Sequence, residues 1–147
     1  MMQRFTTTLA LFLILPIFEA SISAQEKDPE KISGTWILES AELAGKKLPQ
    51  DFVSSVSLII SGTSYSSRVG KLSDKGTLKL SPDSKPKEMD ITSTEGQNQG
   101  KTFPAIYELS GNSLMICYDL EGKKRPEAFR SFLGNQVFLA VYKREKK

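Results

Sequence analysis

From Trp36 to Arg144 the chain alternates apolar and polar residues in short runs, and most runs end at Gly, Pro, Asn, Asp or Ser. An extended backbone points successive side chains to opposite faces, so this pattern predicts β-strands joined by tight turns. The runs cover residues 36–43, 56–60, 64–69, 77–80, 87–92, 103–109, 113–119, 127–133 and 136–144, about eight or nine strands in all. Period-two faces stand out at Trp36, Leu38 and Ser40; at Val56, Leu58 and Ile60; at Phe103, Ala105, Tyr107 and Leu109; at Leu114, Ile116 and Tyr118; and at Val137, Leu139 and Val141. Ser61, Gly62 and Thr63, and likewise Ser110, Gly111 and Asn112, suit hairpins between antiparallel neighbours. Beyond the N-terminal segment only residues 48–55 have a helical flavour, with Pro49 placed to open a single turn. Pro104 falls inside a run where it has no N–H for the ladder, so an edge or a bulge is expected there.

Consecutive short strands leave two unpaired edges unless the sheet closes on itself. Closure removes both edges, so the predicted fold class is all-β, an up-and-down antiparallel β-barrel, in preference to a sandwich.

Ahead of the strands the pattern changes. Arg4 precedes an apolar run from Leu9 to Phe18, and residues 21–24 supply small side chains, the order of a signal peptide cleaved after Ala24, with Ala20 and Ser23 as competing sites. The run is about half the ~20 residues that a membrane-spanning helix needs, and Pro16 and Glu19 interrupt its far end, so no stable membrane insertion is expected after cleavage. No Cys follows the run to carry a lipid. The expected organisation is a signal peptide over 1–24, a flexible polar segment over 25–31 and one barrel domain over 32–144, exported to the periplasm or the exterior.

A mature chain of about 120 residues can bury a core without a staple, which agrees with a single cysteine. Cys117 lies in an apolar run and reads as a buried structural thiol. The net charge is +3, and cleavage removes one Arg and one Glu, leaving it unchanged. The cations are scattered except at Lys123, Lys124 and Arg125 and in the tail, with no Arg and aromatic cluster, so nucleic acid is not an expected partner. There is no His, which excludes imidazole catalysis and most zinc sites. The chain has no GxSxG nucleophile elbow, and Gly96 to Lys101 has the wrong spacing for a phosphate loop and reads as a hairpin connection. Glu39, Glu42, Asp90 and Glu108 are strand acids that could face a lumen, but such acids usually occupy the solvated face. The expectation is a protein that is not an enzyme and holds neither cofactor nor metal.

Gly34, Thr35 and Trp36 form a GxW before the first strand. An ordered series follows, from Ser40 to Lys46, Asp74 to Leu80, Pro86 to Ile91, Gly100 with Lys101, Ile106 to Leu109, Leu114 to Cys117, and Arg125 and Pro126 with Phe129. Over about Ile32 to Arg144 the chain resembles a family of exported lipocalin-like domains expanded in planctomycete bacteria and largely uncharacterised. The resemblance implies a lipocalin-like barrel and supplies no activity. It also implies that Trp36 packs against a basic residue near the end of the last strand, where Lys143 or Arg144 stands, so Gly34, Trp36 and Arg144 are assigned as a structural latch. Ala105 stands where the family usually has Gly, and the Thr-Asp-Tyr signature of other lipocalins is absent.

Two functions follow from such a barrel. The first is a carrier of a small apolar ligand, its lumen lined by Tyr65, Phe103, Tyr107, Leu114, Ile116, Tyr118, Phe129 and Leu139. The same residues equally suit a filled core, and a cavity above about 300 Å³ distinguishes the two. The second is a protein-interaction module, an inhibitor or envelope accessory, in which the filled barrel is scaffold and the loops at 81–86 and 119–126 recognise a partner not identified by the sequence.

Overall fold

A strand with one apolar face needs a neighbour on each edge, and eight strands here meet that need by closing into a ring. The computed structural model describes residues 27–147; the expected signal peptide lies outside the described residues. In chain order the elements are α1 (Asp28–Ile32), β1 (Gly34–Leu43), β2 (Lys46–Lys47), α2 (Gln50–Ser54), β3 (Val56–Ser61), β4 (Ser64–Val69), β5 (Leu72–Ser81), β6 (Lys87–Glu95), β7 (Thr102–Ser110), β8 (Ser113–Asp119) and β9 (Val137–Arg144). Every pairing is antiparallel, β3 to β9 run as a meander, and β1 pairs with both β3 and β9 to close the barrel. The two-residue β2 pairs with the end of β1 outside the ring. The protein is thus an all-β, lipocalin-like barrel.

The turns follow from local chemistry. Two-residue links at Gly62 and Thr63 and at Gly111 and Asn112 join paired strand ends, each with its glycine at positive φ. Pro49 stands immediately before α2, where its missing N–H costs nothing. Pro104 still pairs with Asp90 on β6, but the β7–β8 ladder ends at Ala105, so the proline meets no donor requirement from β8.

Three parts of the chain depart from simple alternation. In β1 the register against β9 shifts between Leu38 and Ser40. The bulge reverses the phase, so Ala41 rather than Ser40 is buried. In β9 the inward residues are Phe138, Ala140 and Tyr142, not Val137, Leu139 and Val141. Both faces of that strand are apolar, which leaves its period without information on direction. Residues 127–133 form no strand. With β9 already paired to β1 the ring has no edge left, and this segment instead crosses the outside of the wall.

There it covers a cross-strand row of Ile106, Cys117 and Leu139. Ile106 and Cys117 are buried although they point away from the lumen. The strap is pinned at three points. Arg125 donates to the Met89 and Ala105 carbonyls at 3.1 and 2.8 Å and to Asp90 at 2.6 Å. The Cys117 thiol donates to the Ala128 carbonyl at 3.7 Å, and Ser131 Oγ accepts from the Gly45 N–H at 2.7 Å.

One end of the barrel is plugged by α1. The stretch expected to be flexible is helical from Asp28, and Ile32 at its end is fully buried in the core. The Trp36 indole N–H donates to the Ile32 carbonyl at 2.8 Å. Arg144 lies over the Trp36 ring, 4.3 Å from its centroid, and donates to the carbonyls of Ser33 and Lys31 at 2.6 and 2.7 Å. Gly34 has φ of +143°, and a Cβ there would stand 2.6 Å from Arg144 Nη1, so only glycine admits the guanidinium. At the other end of α1, Asp28 accepts from Lys87 at 2.6 Å and from Tyr107 at 2.7 Å. Burial acts to raise the Asp28 pKa, but these two hydrogen bonds and the charges of Lys87 and Lys31 together hold it below the ordinary 3.8.

Two predictions follow from this plug. Trp36→Ala lowers the unfolding free energy by about 3–5 kcal/mol in urea titrations, because it empties a fully buried site and strips Arg144 of its platform; a loss below about 1 kcal/mol contradicts the latch. Asp28 has a depressed folded-state pKa, so its stabilisation is complete above the unfolded-state value and is lost as pH falls through the folded one. The difference in urea midpoint between wild type and Asp28→Asn is therefore full at neutral pH and closes below 3.8; a difference that persists unchanged into that acid range contradicts the assignment.

Candidate functional site

Among the large fully buried side chains, Trp36, Tyr107, Ile32 and Leu114 gather at the plug, while Ile60 and Met89 reach the cavity as well. The opposite end receives fewer of them. There the inward faces of the strands enclose a cavity of about 630 Å³, open between α2, the β6–β7 connection and the start of the strap. Leu48, Pro49 and Phe52 border the opening on the α2 side, Asn98 on the β6–β7 side, and Leu120 and Phe138 where β8 leaves and β9 enters. Val56, Leu58, Ile91 and Ile116 form much of the wall. Val69, Leu72 and Leu120 are exposed at this end.

Of the residues expected to line a lumen, Tyr65, Phe103, Ile116 and Tyr118 do so. Tyr107 and Leu114 are buried beneath the plug, beyond the cavity. Tyr107 is committed to Asp28, and burial first, then that hydrogen bond and the carboxylate charge, push its pKa well up. Two expectations are corrected. Leu139 faces outward, opposite Cys117, because β9 presents its other side to the lumen. Phe129 belongs to the strap and borders a shallow outer cleft with Pro82, Pro86 and Leu109. The latch residues Gly34, Trp36 and Arg144 stand at the plugged end, away from the cavity.

None of the strand acids singled out by sequence enters the cavity. Glu39 and Glu108 are exposed, and Asp90 is paired with Arg125 on the outer wall. The carboxylate that does enter is Asp74. It precedes the 77–80 run from which β5 was expected, but β5 begins at Leu72, and Asp74, Gly76, Leu78 and Leu80 continue one inward face. A register shift between Lys75 and Gly76 marks a bulge against β6. A Cβ at Gly76 would collide with the Thr92 carbonyl and stand 2.8 Å from the Tyr65 ring, so glycine lets Tyr65 lie across the strand and reach Asp74. The Tyr65 hydroxyl donates to Asp74 Oδ2 at 2.7 Å, and the Ser93 hydroxyl donates to Oδ1. Burial and the Asp74 contact push the Tyr65 pKa far up.

Two more phenols reach the cavity. Tyr118 stacks obliquely between Phe103 and Phe138, with centroids 5.8 and 5.6 Å away. Tyr142 is 8% exposed. Burial, with a contribution from Asp74, pushes the Tyr118 pKa up to about 12, and burial raises that of Tyr142 as well. Both therefore stay neutral at physiological pH. The wall is an apolar cup with one carboxylate and a few hydroxyls, a shape suited to binding and orienting a small molecule.

Of the loop cations offered for recognition, Arg125 is turned to the barrel wall, and Lys123 stays exposed and pairs with Glu121 at 2.9 Å. No group of acids and thiols that could hold a metal ion occurs among the described residues. Comparison with protein-family models, curated proteins and solved structures finds no match to this chain.

The thiol can be tested directly. Cys117 is fully buried under the strap, and burial outweighs a backbone hydrogen bond from Arg130 to raise its pKa. The native protein should leave a disulfide reagent such as Ellman's unreacted at mildly alkaline pH and titrate one thiol once unfolded in guanidinium. Rapid native reaction contradicts the covered position of this residue.

Proposed function

We propose that this barrel is a non-catalytic carrier for a small apolar molecule, which it holds in the cavity opposite the α1 plug. The observation that carries the reading is the cavity of about 630 Å³. It lies well inside the roughly 300–1,000 Å³ of ordinary ligand sites and above what a filled small barrel leaves. Its lining supports the same reading, since apolar side chains predominate and polar groups are few. The order of Arg4, the apolar run and the small residues before Gln25 supports export of the carrier to the periplasm or the exterior. The GxW and the ordered series from Ser40 to Phe129 support kinship with the planctomycete lipocalin-like family.

A protein-interaction module is the weaker reading, because Arg125, one of its expected recognition residues, ties the strap to the wall.

The test is uptake of a neutral fluorescent probe, N-phenyl-1-naphthylamine, by the purified protein. Saturable binding at about one probe per chain is expected, and Leu58→Trp and Ile116→Trp, which place an indole in the cavity, should each weaken it at least about tenfold while leaving the far-ultraviolet circular dichroism unchanged. No uptake by the wild-type protein, or equal uptake by both variants, rejects the carrier. Native mass spectrometry of protein purified from an exporting host, followed by solvent extraction, then identifies the molecule it carries.

A further inference from the structure

The carrier reading leaves open what polar group, if any, an apolar ligand must bear, and the wall of the cavity constrains it. Asp74 lines the cavity, yet it makes no salt bridge among the described residues, and no Lys or Arg lines the cavity beside it. Its partners are the neutral hydroxyls of Tyr65 and Ser93, one on each oxygen. A carboxylate offers about four acceptor sites, so roughly half of its capacity remains for a donor from within the cavity. Independently of Asp74, the Tyr142 hydroxyl belongs to a residue more than nine-tenths buried, lines the same cavity and has no hydrogen-bond partner among the described residues. The Tyr118 hydroxyl, on a half-buried residue, also lines the cavity without a hydrogen-bond partner among the described residues, and the Asp74 charge is felt there. An anionic wall with unused acceptors attracts a cation or a donor and repels a second anion, the more strongly because the surroundings are apolar.

We propose that Asp74, with the phenols of Tyr118 and Tyr142, forms a head-group site that selects apolar ligands ending in a cationic amine or a hydrogen-bond donor, and rejects those ending in a carboxylate. The inference rests on the carrier reading and assigns the chemical class of its ligand. An alkyl chain occupies the cup formed by Leu58, Ile91 and Ile116, and its amine lies against the free lone pairs of Asp74. Fatty acids, though equally apolar, place their own charge beside that of Asp74.

Three ligands of equal chain length separate these outcomes: dodecylamine, 1-dodecanol and dodecanoate, each kept below its solubility or micelle limit, displacing N-phenyl-1-naphthylamine from the full-length mature protein at neutral pH. In the wild type dodecylamine should displace the probe at a concentration at least about tenfold lower than dodecanoate, with dodecanol between them. Asp74→Asn, which keeps the side-chain shape, should still take up the probe, and with concentrations compared within that variant the span should fall to about threefold or less. Tyr118→Phe keeps the ring between Phe103 and Phe138 and should weaken dodecanol by about threefold, so the site remains testable if Asp74→Asn does not fold. Dodecanoate competing as well as dodecylamine against the wild type, an unchanged order in a folded Asp74→Asn, or no change of dodecanol in Tyr118→Phe overturns the head-group site while the carrier stands. A wild-type protein that takes up no probe overturns both.

Discussion

The first and last strands of the barrel must meet, and beyond their backbone ladder the contact that ties the seam to the rest of the fold is the Arg144 guanidinium lying on the Trp36 indole. The two residues are register partners across the β1–β9 seam. Arg144 also donates to two carbonyls near the end of α1, and Trp36 donates to a third, so one cluster ties the seam to the plug. Each donor here is charged or part of a rigid ring, and each acceptor is a carbonyl in the last turn of a short helix or just past it, where no further turn satisfies it. A helix of five residues has little stability of its own. Its order comes from Ile32 in the core and from the ties at its two ends, Arg144 on one side and Lys87 and Tyr107 on the other.

That plug explains why a cavity exists at all. A barrel of eight strands is just wide enough for side chains to fill, so a hollow requires that the large residues be distributed unevenly along its axis. Trp36, Tyr107 and Leu114 fill the plugged end, and the other end is lined by medium-sized aliphatic residues with aromatic groups among them. The strap adds a second, separate apolar cluster outside the wall, which accounts for the burial of Cys117 and Ile106 on what alternation alone makes the solvent side.

The architecture was legible in the sequence because strand period, glycine turns and the need to close edges all point to a barrel. Eight of the nine expected runs became strands. The ninth, 127–133, failed for a reason no local pattern contains: the ring was complete without it. The direction of β9 was illegible because Val137 to Tyr142 is apolar at every position. The phase of β1 was lost at a bulge that has no glycine to announce it. The candidate cavity was half legible. Tyr65, Phe103, Ile116 and Tyr118 were recognised by strand parity, whereas Tyr107 and Leu114, of the same parity, were not separable from them, since parity gives the face and says nothing of depth along the axis. Asp74 was missed because its strand was begun at Thr77; counting back in steps of two from Leu80 through Leu78 and Gly76 reaches it, and the glycine in that row is the signal that a neighbouring side chain crosses there.

The placement of Asp74 carries the larger physical argument. A carboxylate in an apolar wall loses part of its hydration, and the protein must compensate or tolerate the loss. Elsewhere in this molecule compensation is by charge: Asp28 has Lys87, and Asp90 has Arg125. At Asp74 it is by two neutral hydroxyls alone, one of which belongs to a serine that is itself buried. A cation at that point would have completed the pairing and closed the site to further partners. Two hydroxyls leave it half satisfied and still negative, in a cavity open at one end, and such a group is stabilised most by a donor that arrives with a ligand. The incomplete pairing at Asp74 is the feature that gives an incoming amine something to bind.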